Sequence, residues 1–248
     1  MLKVAIFDMD ETLIDSYTKL DADITRAFAL CGETLTAREL FLAHQNWEAY
    51  MVEKKCKGRI CSEEEVARIK AQFWVAFNQR PTWAADIKTG VAKLFPETLK
   101  VLEQLKAKGY RLLLVSRSEK KETYEKVEGF GLGNYFTGVY VVPVRKERGQ
   151  RSITKTYGYL QAIDQERLTG LFLAAATGTG EEATLFCIGD RPEDVFAGVA
   201  LRRWAKRQYS KASVITILID RKGRYSQERH ADAIVKNLQQ AMRIMEAV

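Results

Sequence analysis

The sequence predicts an α/β protein, a parallel sheet covered on both faces by helices, with an all-helical domain inserted near its start. Three observations carry this expectation. Residues 3–7 are a short, largely apolar run that stops abruptly at Asp8-Met9-Asp10-Glu11, as a buried strand does when it delivers carboxylates at its C-terminal end. Residues 17–91 carry apolar side chains at helical spacing and no convincing strand pattern. After Pro96, helix-like and strand-like segments alternate, the order that builds a parallel sheet.

Within the insert the spacing predicts helices over 17–31, 36–52 and 62–78. Ser62 and Glu65 form a capping-box pair at the start of the third, and Pro81 lies just past its end. The connector Glu53-Lys54-Lys55-Cys56-Lys57-Gly58-Arg59 is basic. It reads as a solvated loop, with contact to an acidic group of a substrate as the alternative. Phe73, Trp74 and Phe77, with Trp47 and Tyr50, fall at helical spacing and belong to the core of the insert. Beyond Pro96 come a helix over 97–108, a stop at Gly109 and a strand over 110–116. Further strands are expected at 138–142, 183–188, 213–219 and 231–235, and a helix at 154–163. The Gly/Thr-rich stretch 174–182 reads as a loop and lacks the Gly-Lys-Ser/Thr ending of a P-loop. Gly129, Gly131 and Gly133 lack the spacing of a dinucleotide fingerprint.

At 248 residues and 46% hydrophobic content, the chain is long enough for one substantial core and a smaller second domain. No run of about 18 apolar residues could span a bilayer, and the first residues carry charge too early for a signal peptide. The expected compartment is the cytosol, with no membrane partner. Cys31, Cys56, Cys61 and Cys187 are too few for a disulfide scaffold, and free thiols are expected. A metal shared by Cys56 and Cys61 finds no support, because His44 and His230 are remote from them. The net charge of +7 suits an anionic substrate, and suits RNA or a membrane surface equally. The basic stretches 145–151, 202–207 and 221–224 are separated and interrupted, however, so they read as solvated surface.

The chemistry gathers at strand ends and one helix start: Asp8 to Thr12, Ser116, Lys155, and Gly189-Asp190-Arg191-Pro192-Glu193-Asp194. In an open parallel sheet, ligands collect at the carboxyl ends of the strands. Acids gathered there repel one another unless a cation offsets them, and a hard divalent ion such as Mg2+ suits Asp8 and Asp190 as ligands. Phosphoryl transfer needs an in-line nucleophile, a proton donor for the leaving alcohol and positive charge around the phosphate oxygens. Asp8 fits the nucleophile, and Asp10, on the same side of an extended strand, fits the acid and base. Ser116 and nearby backbone N–H groups fit the phosphate, and Lys155 the charge on nucleophile and phosphate. Singly, these acids could form a turn, Ser116 could cap a strand and Lys155 could be a surface lysine; their order and setting together make the site.

The stretches from Phe7 to Ser16 and from Val115 to Ser118, Lys155, and the segment from Gly189 to Asp194 resemble the four motifs of the haloacid dehalogenase superfamily. The resemblance runs over nearly the whole chain. It implies a Rossmann-like, HAD-like three-layer core of residues 1–16 and 93–248, and a mobile C1-type helical cap of residues 17–92. It implies Mg2+ held by Asp8, the Asp10 main-chain carbonyl and Asp190, with Asp194 supporting from behind. The substrate-binding set is then Met9, Asp10, Ser116, Arg117 and Lys155. An aspartate at Asp10 marks the branches that act on phosphate esters, not on haloacids. The chain departs from the family pattern at Glu11 and Glu97, where Gly is frequent, and at Arg117, where a small residue or Asn is common. A long interval from Lys155 to Asp190 leaves Lys146 as a weaker candidate for the lysine.

The expected function is therefore a Mg2+-dependent phosphatase acting on a small phosphorylated metabolite through an aspartyl-phosphate on Asp8. A phosphomutase or phosphotransferase using the same residues is the alternative. A non-catalytic binding module, for RNA among others, ranks last because the acids and the lysine are intact.

Overall fold

In the computed structural model, residues 2–43, 46–142, 155–166, 168, 182–208 and 212–248 are described. The chain forms two compact units, Met1–Asp15 with Leu94–Val248, and Ser16–Lys93. In chain order the elements are β1 (Leu2–Phe7), β2 (Ile14–Asp15), α1 (Ser16–Leu30), α2 (Ala37–Ala43), α3 (Trp47–Cys56), α4 (Glu63–Asn78) and α5 (Trp83–Thr89). There follow β3 (Lys93–Leu94), α6 (Thr98–Ala107), β4 (Arg111–Ser116), α7 (Lys120–Gly129) and β5 (Gly138–Val141). The last are α8 (Lys155–Gln165), β6 (Ala183–Gly189), α9 (Pro192–Gln208), β7 (Ala212–Ile219), β8 (Ala233–Val235) and α10 (Leu238–Glu246). The expected Thr154 start of α8, Lys146, His44, the basic stretch at 145–151 and nearly all of the 174–182 loop lie outside the described residues.

The larger unit is built on a six-stranded sheet of order β5-β4-β1-β6-β7-β8 in which every pairing is parallel. The strands alternate their side chains between two helical layers. Val4 and Ile6 join Leu113, Val115, Leu185 and Cys187 in a core that includes Tyr159, Ala162, Ala197 and Leu201, from α8 and α9. On the opposite face α6 packs on β4, and α10 packs on α6, β7 and β8. The predicted three-layer α/β core is the one observed. Its strand order reverses at β1, so the crevice beyond β1 and β6 is where such a sheet takes its ligand. Register carries this through: Phe7 lies opposite Ile188 on one side and Leu114 on the other. The residues that follow each strand therefore emerge together.

The smaller unit is helical, with a core of Ile24, Phe28, Met51, Phe73 and Phe77 and with Trp47 and Tyr50 packed against it. Trp74 keeps 37% of its surface exposed and so borders this core instead of filling it. Lys19 is buried here between Asp23, at 2.8 Å, and Asp86, at 2.6 Å. The Ser62 and Glu65 capping box is present as expected.

Two helical expectations need correction. The single helix over 36–52 is two, α2 and α3, because Asn46 takes extended geometry and its side chain accepts from Ala49 N at 3.1 Å, starting a new helix. The unexpected α5 is capped by Thr82 at one end and by a left-handed Gly90 at the other. The expectation of free thiols also fails at one pair, since Cys56 and Cys61 form a disulfide. The left-handed Lys57 and Gly58 turn the chain back and bring the two Cα atoms to 6.1 Å. Cys31 and Cys187 are free. The connector expected as a loop over 53–59 is loop only in its second half, since Glu53 to Cys56 form the last turn of α3, and three of its four cations have local partners: Lys54 with Glu39 at 2.7 Å, Lys55 with Glu33 at 3.3 Å and Arg59 with Glu65 at 3.0 Å. Among the described residues, no helix is long and apolar enough to cross a membrane.

The family departure at Glu97 has a local cause. Its Oε1 accepts from Arg221 Nη1 at 2.8 Å and from Leu238 N at 3.4 Å. Arg221 also lies 3.5 Å over the Phe95 ring and donates to the Thr12 carbonyl at 3.2 Å, so a Gly at 97 would remove the acid that this guanidinium needs. Glu11 is different. In the turn after β1, Leu13 N donates to Met9 O at 2.9 Å and Glu11 N to Ile14 O at 2.8 Å, which places Glu11 at φ 60°. That left-handed conformation strains a residue with a Cβ and is free for glycine. Glu11→Gly is expected to stabilise the protein by about 0.5–1 kcal/mol, which thermal unfolding would read as a rise in Tm of about 1–4 °C.

Candidate active site

β1 ends at Phe7, and the Asp8 N–H still completes the ladder to β6 by donating to Ile188 O at 2.8 Å. β6 ends at Gly189, one residue before Asp190. Pro192 then opens α9, and Glu193 and Asp194 lie in its first turn, where the exposed N–H groups favour negative charge. Neighbouring strand ends and one helix start thus bring Asp8, Asp190 and Asp194 together, with a carboxylate oxygen of each within 4.8 Å of the others.

Lys155 reaches this cluster from α8, whose buried residues Lys155, Gly158, Tyr159, Ala162 and Ile163 form one stripe at helical spacing. Its ammonium is ion-paired to Asp8 and lies 3.2 Å from Asp194. Two glycines make this approach feasible. A Cβ at Gly158 would overlap Val142 and come within 2.8 Å of Val115 Cγ1, so Gly158 lets α8 lie close against β4 and β5. A Cβ at Gly189 would overlap the Asp194 carboxylate, which therefore tucks beneath the end of β6. There Asp194 also accepts from Arg191 N at 3.2 Å.

The electrostatics follow from this crowding. Burial raises the Asp8 carboxyl above its usual range against the opposing pull of Lys155, and Asp194 raises it further. Asp190 is raised by burial first and then by the charges of Asp8 and Asp194. Burial would lower the Lys155 ammonium, but Asp194 and Asp8 outweigh it and hold it above its ordinary value. Carboxylate oxygens gathered this closely, with Asp8 and Asp190 raised by burial and by neighbouring charge, form a donor set that a hard divalent cation would suit.

A cavity of about 360 Å³ opens on these residues. Its lining comprises Asp8, Asp190, Asp194 and Lys155 together with Asp10, Ser116, Arg117, Ser118 and Arg191. Every expected side chain but one therefore meets there. The exception is Met9, whose side chain is wholly buried, so only its backbone is left to face a ligand. Ser116, at the end of β4, accepts from Ser118 N at 3.1 Å. Arg117 pairs with the exposed Glu193 at 2.7 Å on the rim.

Sequence reasoning missed Ser118 and Lys126. Ser118 Oγ donates to Asp10 Oδ2 at 2.7 Å, and Lys126 Nζ lies 2.8 and 2.9 Å from the two Asp10 oxygens. Lys126 is one of several charged residues on α7, and only its burial, which the sequence does not show, separates it from Lys120 and Lys121.

Comparison with known proteins finds relatives over most of the chain. The family described as haloacid dehalogenase-like hydrolase matches residues 2–202. A phosphoglycolate phosphatase of Haemophilus influenzae is 25% identical over 205 residues, covering 80% of this chain and 81% of that protein. Among solved structures, a HAD phosphatase from Thermococcus onnurineus superposes with a TM-score of 0.56 at 19% identity, over 98% of each chain. A Thermotoga maritima protein provisionally assigned as a β-phosphoglucomutase gives a TM-score of 0.61 at 18% identity over 100% of each chain. At such identities the structural likeness concerns the fold.

The closeness of α8 to the sheet is directly testable. Gly158→Ala is expected to lower the unfolding free energy by about 1–3 kcal/mol through overpacking. Gly133→Ala, whose new Cβ would sit 3.7 Å from Val127, is the control expected to change little. Urea denaturation midpoints of the two variants check the difference.

Proposed function

Because the chain belongs to the haloacid dehalogenase-like hydrolases, we propose that it is a Mg2+-dependent phosphatase of small organic phosphate monoesters, working through an aspartyl-phosphate on Asp8. The observation that carries this reading is the Lys155 ammonium bound to Asp8 and Asp194 with Asp190 beside them, lining one cavity with Asp10 and Ser116. The curated relative of the same length class, a phosphoglycolate phosphatase, supports a small phosphorylated substrate.

In this reading Mg2+ would be held by Asp8, the Asp10 main-chain carbonyl and Asp190, with Asp194 behind, and would screen the charge on the phosphate. The Asp8 carboxylate attacks phosphorus as the bond to the leaving oxygen breaks, and Asp10 gives that oxygen its proton. Water then attacks the phosphoryl group, Asp10 takes the water's proton, and the bond to Asp8 breaks to free the nucleophile. Ser116 holds a phosphate oxygen, and Lys155 balances charge on Asp8 and on the phosphate. The helical unit serves as the cap, and bulk water is excluded when it closes.

Release of inorganic phosphate from a panel of monoesters is expected with the wild type and Mg2+. It should fall by about three orders of magnitude or more in Asp8→Asn, with its fold checked by circular dichroism, and likewise in excess EDTA. A phosphoryl group that passes to a sugar hydroxyl with no release to water would replace this reading by the mutase one.

A further inference from the structure

Asp10 is the group whose work depends most on orientation, since it must meet a leaving oxygen and then a water within hydrogen-bonding reach. Its carboxylate is held by two residues for which the reaction above has no use. Lys126 Nζ spans both oxygens, at 2.8 Å to Oδ1 and 2.9 Å to Oδ2, and also lies 3.3 Å from Ser118 Oγ. Ser118 Oγ donates to Asp10 Oδ2 at 2.7 Å. The Lys126 side chain is only 2% exposed, against 29% for Asp10. Burying an ammonium so fully is costly unless it is paired, and Asp10 is the carboxylate it grips.

Position separates a substrate contact from a support. Asp10 and Ser118 line the cavity, whereas Lys126 reaches them from α7 and is not part of the lining. Ser118 belongs to the turn after β4 in which its own N–H donates to Ser116 Oγ at 3.1 Å. One short turn thus ties the serine expected to hold phosphate to the carboxylate expected to move the proton. An ammonium gripping both oxygens from behind fixes the plane of that carboxylate and its distance from the cavity.

We propose that Lys126, assisted by Ser118, is the positioning residue for Asp10, setting its carboxyl where the proton passes to the leaving oxygen and returns from water. Lys126 itself gives up no proton and touches no reacting atom. This inference rests on the phosphatase reading above and deepens it.

The test compares wild type, Lys126→Met and Lys126→Arg on two esters, a primary alkyl phosphate and p-nitrophenyl phosphate. An alkoxide needs a proton to leave and nitrophenolate does not. Lys126→Met is therefore expected to lose about 10- to 100-fold in kcat on the alkyl ester, with KM and the inhibition constant of inorganic phosphate within about twofold. The pre-steady-state burst of nitrophenol should fall by less than about threefold. Lys126→Arg should recover most of the loss. In an Asp10→Asn background Lys126→Met should change the burst by less than about twofold, as expected when one residue acts only through the other.

A raised KM and phosphate inhibition constant with kcat retained would overturn the proposal in favour of a substrate contact. Equal losses on both esters, or a loss that persists in the Asp10→Asn background, would overturn it as well. If Lys126→Met does not fold by circular dichroism, Ser118→Ala is read by the same criteria, with an expected loss of about 3- to 10-fold confined to the alkyl ester. A wild type inactive on both esters defeats the phosphatase reading, and this proposal with it; an active wild type with no leaving-group split defeats this proposal alone.

Discussion

The Lys155 ammonium between Asp8 and Asp194 is the interaction on which the rest of the site depends. Parallel pairing of β1 with β6 brings Asp8 and Asp190 out side by side, and the first turn of α9 adds Asp194. Burial and the neighbouring charges raise Asp8 and Asp190, and the strand register gives the two no way to part. Lys155 offsets Asp8 and Asp194 at once. Its own desolvation is severe, yet the paired acids keep it charged. The features that deliver it, including the buried stripe of α8 and the missing Cβ at Gly158, are conditions for the acids to share one floor.

The cations are divided unequally among the acids, and that division has a consequence. Lys155 takes Asp8 and Asp194, and Lys126 takes Asp10. Among the described residues, the cation nearest Asp190 is Arg191, at 3.8 Å, and that guanidinium is half exposed. A partner that is distant and solvated screens little. Asp190 is accordingly raised by its burial and by two neighbouring charges, with a weak opposing pull. Among the described residues Asp190 is thus an acid with little cationic cover, which a divalent cation would offset.

Much of this was legible in the sequence, for physical reasons that can be named. A parallel strand covered on both faces is a short apolar run, and all six core strands lie within a few residues of where such runs predict them. The acids stand at strand ends, so their meeting place followed from topology alone. Lys126 was not legible, because a helix surface rich in Lys and Glu gives no sign of which lysine turns inward. Neither was the division of α2 from α3, where apolar spacing continues through a break made by the Asn46 cap. The thin signals for α5, Thr82 and Gly90, flank too few apolar residues to show a period. The Cys56–Cys61 bond depends on a left-handed Lys57, a conformation that composition does not announce.

Net charge was the least informative feature, and the structure shows why. The chain is +7 overall, yet Lys54, Lys55 and Arg59 are spent on acids of their own unit. Among the described residues that line the cavity, Arg117, Lys155 and Arg191 stand against Asp8, Asp10, Asp190 and Asp194, so that full ionisation would leave one negative charge in excess. Beside these lining groups alone a dianion meets no net attraction, whatever the overall charge. One divalent cation turns that local balance from negative to positive. Overall net charge is accordingly a poor guide to how this cavity would receive an anion.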